Sequence, residues 1–131
     1  MLTLCLLLAV SGECLGETSY GSAQAVVISV RDGDTLTVDI EGWPPLVGKR
    51  IGVRLAGVNT PELRANDPAE RERAQAAKAF TCSLAPPGTA VELRNIRRGK
   101  YFRIVADVYA GGKNLAERLL ERGFGRAYAG R

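Results

Sequence analysis

Three short alternating segments, an amphipathic helix, two more alternating segments and a closing helix predict a mainly β chain of the α+β class. Five strands with a helix between the third and fourth is the plan of a five-stranded Greek-key barrel of the OB type, here with two helices. At 131 residues, 46% of them hydrophobic, the chain has the apolar content for one cored domain and too little length for two.

The elements follow in order. Residues 1–16 read as a secretory leader. The run from Met1 to Val10 is apolar but too short to span a bilayer, and Gly12 and Gly16 put small residues at possible cleavage points. No Lys or Arg precedes the run, and a short buried N-terminal strand is the other reading. The polar, Gly/Ser-rich stretch 17–23 reads as a flexible lead-in, and 24–131 as the folded domain. Residues 24–30 are apolar and β-branched and form the first strand. Gly33 lets the chain turn within Arg31-Asp32-Gly33-Asp34. Residues 35–40 alternate, with Leu36, Val38 and Ile40 on one face. Residues 41–48 hold Gly42, Pro44, Pro45 and Gly48 and read as a loop in which Trp43 covers the barrel end. In 49–58, Ile51, Val53 and Leu55 face the core, while Arg50, Gly52, Arg54 and Ala56 face outward. Small Gly52 and Ala56 leave space on that face beside the Arg54 guanidinium.

Asp67 as N-cap, Pro68 at the first helical position and Glu70 as the third member of a capping box start a helix. Ala74, Ala77, Phe80 or Thr81, and Leu84 give it an apolar face, and Pro86-Pro87-Gly88 stops it. Residues 90–96 and 101–109 read as strands joined by the basic hairpin Arg97-Arg98-Gly99-Lys100. Gly111-Gly112 turns the chain. Asn114 with Glu117 caps a second helix carrying Leu115, Leu119 and Leu120, and Gly123 ends it.

Composition removes whole classes of chemistry. The chain has no histidine, so a histidine general base and histidine-rich zinc sites are both ruled out. Proton transfer falls to Asp, Glu, Lys, Tyr or Cys. The three cysteines lack zinc-ligand spacing, and Cys82 reads as a buried, inert thiol. A Cys14–Cys82 disulfide is open only if Cys14 survives processing. A formal net charge of +4 suits a polyanionic partner without demanding one.

The residues that bear chemistry are Asp32-Gly33-Asp34-Thr35, Arg54, Asn59-Thr60-Pro61-Glu62 and Tyr101-Phe102-Arg103. Carboxylate, carbonyl and amide oxygens suit a hard cation such as calcium, and Asp34 with the Asn59-Thr60 turn supplies them. Arginine presents a planar donor fork to phosphate. A glutamate beside a metal-bound phosphate can accept the proton of an attacking water. Each signal also has a plainer reading. The Asp-Gly-Asp-Thr stretch makes a tight turn, Arg54 a solvated strand residue, Glu62 a loop start, and Arg103 a partner for Asp107. Arg64, Arg71 and Arg73 interleave with Glu70 and Glu72 as a solvated helix face, and Arg97, Arg98 and Lys100 form a solvated hairpin with a general attraction for phosphate. Tyr128 is either a packing residue or a stacking surface for a base.

Taken in order, these motifs resemble the staphylococcal-nuclease (thermonuclease) family, in particular its short secreted bacterial members, from about Ala25 to Tyr128. The resemblance implies an OB-fold endonuclease that hydrolyses DNA and RNA with Ca2+ and with little sequence preference. It implies Asp34 as a metal-binding carboxylate with Asp32 nearby, and the Thr60 backbone carbonyl as a further ligand. Glu62 would activate or position water, and Arg54 and Arg103 would clamp the phosphate and its transition state. Asn59 stands where the family pattern has a second metal-binding Asp. Asn59 also motivates the alternative, a non-catalytic nucleic-acid-binding or protein-binding barrel that has lost full metal binding. Either protein is expected to be a secreted or periplasmic monomer with no stable membrane association after processing.

Overall fold

A computed structural model describes residues 19–129. The leader 1–16 and both Cys5 and Cys14 lie outside the described residues. The strands are β1 (Ala23–Asp32), β2 (Thr35–Ile40), β3 (Ile51–Leu55), β4 (Val58–Asn59), β5 (Ala90–Arg98), β6 (Arg103–Ala110), β7 (Lys113–Asn114) and β8 (Arg126–Ala127). The helices are α1 (Pro45–Gly48), α2 (Pro68–Leu84) and α3 (Leu115–Glu121).

Strands β1, β2, β3, β5 and β6 form a closed five-stranded mixed barrel, the predicted OB architecture. Neighbours run β3-β2-β1-β5-β6, and parallel pairing of Gly52–Leu55 in β3 with Arg103–Ala106 in β6 closes it. Strand β1 bends around the barrel, and its register against β2 shifts between Val27 and Ser29 and again between Val30 and Asp32. Such irregularities increase local twist and let one strand turn a barrel corner. The inward rows include Val27, Leu36, Val38, Val53, Leu55, Leu93 and Val108, all essentially inaccessible, and Leu115 and Leu119 of α3 join the same core. Ile51, Val53 and Leu55 point inward and Gly52 and Arg54 are half-exposed, as the alternation in β3 predicts.

Several local expectations are corrected. The loop 41–48 contains the one-turn helix α1, begun by Pro45, whose fixed φ suits a first helical position. The single strand expected over 49–58 is split. Gly57 at φ +83 turns the chain after Leu55, and Val58–Asn59 leave to pair with Ala127 and Arg126. The strand expected at 101–109 begins only at Arg103, because Tyr101 and Phe102 sit at φ 55 and 60 in the turn. The capping box does not close in the expected way. Asp67 accepts a hydrogen bond from the Ala69 amide (3.0 Å), whereas the Glu70 carboxylate accepts one from the Glu62 amide (3.5 Å). Tyr20 and Gly21, in the stretch read as a flexible lead-in, bond to Ile96: the Tyr20 amide donates to the Ile96 carbonyl (2.7 Å) and the Ile96 amide to that of Gly21 (3.0 Å). Cys82 is half-buried and carries a free thiol. Among the described residues, no helix is long and apolar enough to cross a membrane.

Helix α2 buries Ala74, Ala77 and Thr81 and docks on the β1–β2 turn. The Thr81 hydroxyl donates to the Gly33 carbonyl at 2.6 Å. A Cβ at Gly33 would stand 2.8 Å from Ala77 Cβ and 2.9 Å from Thr60 Cγ2, so here glycine permits close packing rather than an unusual φ. Gly33→Ala should therefore push helix, turn and Thr60 apart. Overpacking of this kind costs about 1–3 kcal/mol. A lowered urea midpoint with an unchanged slope is the expected result, and an unchanged midpoint would mean that the helix shifts without cost.

Candidate functional site

The antiparallel register of β2 and β3 sets Thr35 opposite Arg54, and the Leu55 amide donates to the Asp34 carbonyl at 2.9 Å. The Asp-Gly-Asp-Thr turn is thereby fixed beside Arg54. The Asp34 carboxylate is nearly buried and accepts from the Thr35 hydroxyl (3.0 Å) and the Thr60 amide (2.9 Å). It also pairs with Arg54 Nη1 at 3.3 Å. These contacts use three of the roughly four hydrogen-bonding positions of a carboxylate.

Arg54 is the hub of the site. Its Nη1 donates to the carbonyls of Val58 (2.7 Å) and Leu55 (3.2 Å), and its Nη2 donates to Asn59 Oδ1 (3.1 Å). The guanidinium therefore ties Asp34, the end of β3 and the Asn59-Thr60 turn together. Tyr128 lies over it, with the Arg54 Cζ 5.7 Å from the ring centroid, and the Tyr128 amide donates to the Gly57 carbonyl at 3.0 Å.

Arg54, Arg103 and Tyr128 line one cleft of about 570 Å³. Parallel pairing of β3 with β6 brings the two arginines to the same side of the barrel. Gly52 does not leave open space beside Arg54 as the sequence suggested. Its missing side chain makes room for the Arg103 stem, since a Cβ there would stand 3.0 Å from Arg103 Cγ. Arg97 and Lys100 line the same cleft. The sequence reading of a basic hairpin with a general attraction for phosphate is consistent with this position beside Arg103. Asp107 accepts a hydrogen bond from Asn95 Nδ2 at 2.8 Å.

Glu62 is exposed and lines a second depression with Asn59, Thr60, Glu70, Arg73 and Arg126. The Asn59-Thr60 turn lines this depression and not the cleft, and joins the two through the bond from Arg54 to Asn59. Asp32 ends β1 opposite Thr35 and lines neither depression.

Residues 52–131 match the family described as staphylococcal nuclease homologue. The chain belongs to that family. The match covers Arg54, the Asn59–Glu62 stretch, Arg103 and Tyr128. The Asp32–Thr35 turn precedes it and joins the site through the Asp34 contacts to Arg54 and Thr60. No curated protein matches the chain. The staphylococcal nuclease homologues are in general nucleases, with nucleic acids as substrates and typically Ca2+ as the metal.

The donor set suits such a cation in kind. Asp34, the Asn59 side chain and the Thr60 main chain all offer oxygen, which calcium prefers. The buried Thr60 Oγ1 has no hydrogen-bond partner among the described residues, which leaves one unpartnered polar atom on the residue whose amide holds Asp34. The charge is sparse. Among the described residues there is no group of three or more acidic or thiol side chains placed to hold a metal ion. The set therefore offers oxygen donors of the right kind with little negative charge among them.

Proposed function

We propose that this chain is a calcium-dependent endonuclease that hydrolyses phosphodiester bonds of DNA and RNA with low sequence specificity, acting as a secreted or periplasmic monomer. The observation that supports this most is the convergence of Arg54 and Arg103 on one cleft, with Arg54 tied to Asp34 and Asn59. Two arginines lining one cleft can meet phosphate oxygens there and stabilise the charge that grows on them during attack. Asp34, Asn59 and the Thr60 carbonyl would hold calcium, which when bound supplies charge neutralisation at the phosphate. Glu62, in the depression beyond the Asn59-Thr60 turn, is the proton acceptor for water. Tyr128 offers a face to the neighbouring base.

The deciding experiment is digestion of single-stranded DNA by the purified protein across a wide calcium range, with a chelator control. Calcium-dependent fragments are expected. Their absence over the whole range would favour the second reading, a non-catalytic nucleic-acid-binding or protein-binding barrel. That reading draws on Asn59, which offers a neutral oxygen and directs it to Arg54.

Asn59→Asp separates these readings further. A second carboxylate near the cation is worth about 4 kcal/mol gross at a 4 Å separation and an effective dielectric of 20. Desolvation removes much of this. Arg54 Nη2, 3.1 Å from Asn59 Oδ1, would neutralise part of the new charge. A net tightening of about tenfold in calcium affinity is expected. Calcium titration with and without a nucleotide measures it, and identical curves for the two proteins would remove Asn59 from the metal shell.

A further inference from the structure

A groove of about 650 Å³ lies on the other side of the basic hairpin from the cleft. Tyr20, Trp43 and Phe102 line it, together with Arg97, Arg98 and Arg103, and among the described residues no carboxylate does. Phe102 is 71% exposed and Tyr20 55% exposed, so these two rings stand outside the core, while Trp43 packs in part against it. Tyr101 and Phe102 sit consecutively at φ 55 and 60, a region that bulky side chains rarely occupy. The hairpin thus holds Phe102 outward in a strained conformation that contributes nothing to packing the barrel. Strain of this kind concentrates where a ligand is gripped. The Arg98 guanidinium lies 5.7 Å from the Tyr20 ring centroid, which sets a cation at the edge of the aromatic floor. Arg97, Gly99 and Arg103 line both the groove and the cleft, so the hairpin is a common wall between them.

We propose that this groove is a second subsite for single-stranded nucleic acid, in which bases beyond the phosphate held by Arg54 and Arg103 stack on Phe102, Tyr20 and Trp43. The inference rests on the reading of the cleft as a nucleic-acid site and specifies its substrate. Aromatic platforms interleaved with arginines bind single strands with little sequence preference, because every base has a stacking face. A duplex keeps its bases inside its own stack and presents none to the groove. The charge of the lining points the same way, with Arg98 beside the aromatic floor and, among the described residues, no carboxylate to repel a phosphate backbone.

Trp43 is the single tryptophan of the chain, so its emission reports on this groove directly. The test is a titration of the full chain in chelator, where no turnover occurs. An oligothymidylate of about twelve nucleotides should quench Trp43, and Phe102→Ala should weaken its binding by about tenfold. A thymidine dinucleotide, too short to leave the cleft, and a duplex of matched length should leave the emission unchanged. Oligothymidylate binding with no change in Trp43 emission, or with equal affinity in Phe102→Ala, overturns the groove and leaves the cleft standing. Trp43 emission that changes with protein concentration alone, alongside a dimer in sedimentation, overturns it in favour of a second copy as occupant. Quenching as expected, in a protein that never cleaves when calcium is restored, supports the groove and removes the nuclease assignment.

Discussion

Glu62→Gln should lose about 10²–10⁴ in turnover while the protein stays folded. The substitution keeps size and polarity while removing the negative charge and with it the ability to accept a proton. Glu62 is exposed and its side chain fills no part of the core, so the unfolding free energy should stay within about 0.5 kcal/mol of the parent. Its backbone amide, not its carboxylate, makes the contact to Glu70. That contact survives the change. Glu70 lines the same depression and is the rival acceptor. Single-turnover rates of Glu62→Gln and Glu70→Gln under saturating calcium separate the two. Near-normal rates in Glu62→Gln, with a large loss in Glu70→Gln, would transfer the role. Near-normal rates in both would mean that neither glutamate takes the proton.

The barrel was legible because its signals are local. Alternation in 35–40 and 49–58 exposes which side faces inward, and Asp67-Pro68 marks the start of α2. What was not legible depends on contacts distant in sequence. Strand β4 exists because Val58 and Asn59 meet Ala127 and Arg126, and two residues carry no periodicity of their own. Glu70 looked like a capping-box partner because the spacing is right, but the chain before α2 folds so that the Glu62 amide lies nearer to its carboxylate. Gly52 looked like space for Arg54, and only the parallel closure of β3 on β6 reveals that Arg103 fills it. The candidate site divides in the same way. Arg54 and Arg103 are brought together by that closure, while Glu62 lies in the depression beyond the Asn59-Thr60 turn, a separation no linear spacing encodes. That Arg97 and Lys100 line the same cleft depends on that closure too, since a basic hairpin alone does not reveal which wall of the barrel it will meet.

Arg54→Lys should cost both turnover and stability, and the two losses have different origins. The Arg54 side chain is 17% exposed and serves Val58, Leu55, Asn59 and Asp34 from two nitrogens. A lysine ammonium is a single point and cannot reach the Val58 carbonyl and Asn59 Oδ1 while also facing a phosphate. Buried acceptors left without a donor cost about 1–3 kcal/mol, which a denaturation midpoint measures. Loss of the fork at the phosphate removes stabilisation of charge made mainly in the transition state, worth about 10²–10³ in turnover. Arg103→Lys supplies the comparison. Arg103 has a hydrogen bond from Nε to the Lys100 carbonyl at 3.2 Å, and its stem packs over Gly52, where a lysine stem also fits. It should lose turnover to a similar degree with little change in midpoint. Substrate affinity measured in chelator should fall far less than turnover in both variants, because interactions formed in the transition state do not register in ground-state binding. Weakened binding with unchanged turnover would reduce both arginines to simple phosphate contacts. Turnover lost only in Arg54→Lys, in proportion to its stability, would make Arg54 a brace for the Asn59-Thr60 turn rather than a partner of the reacting phosphate.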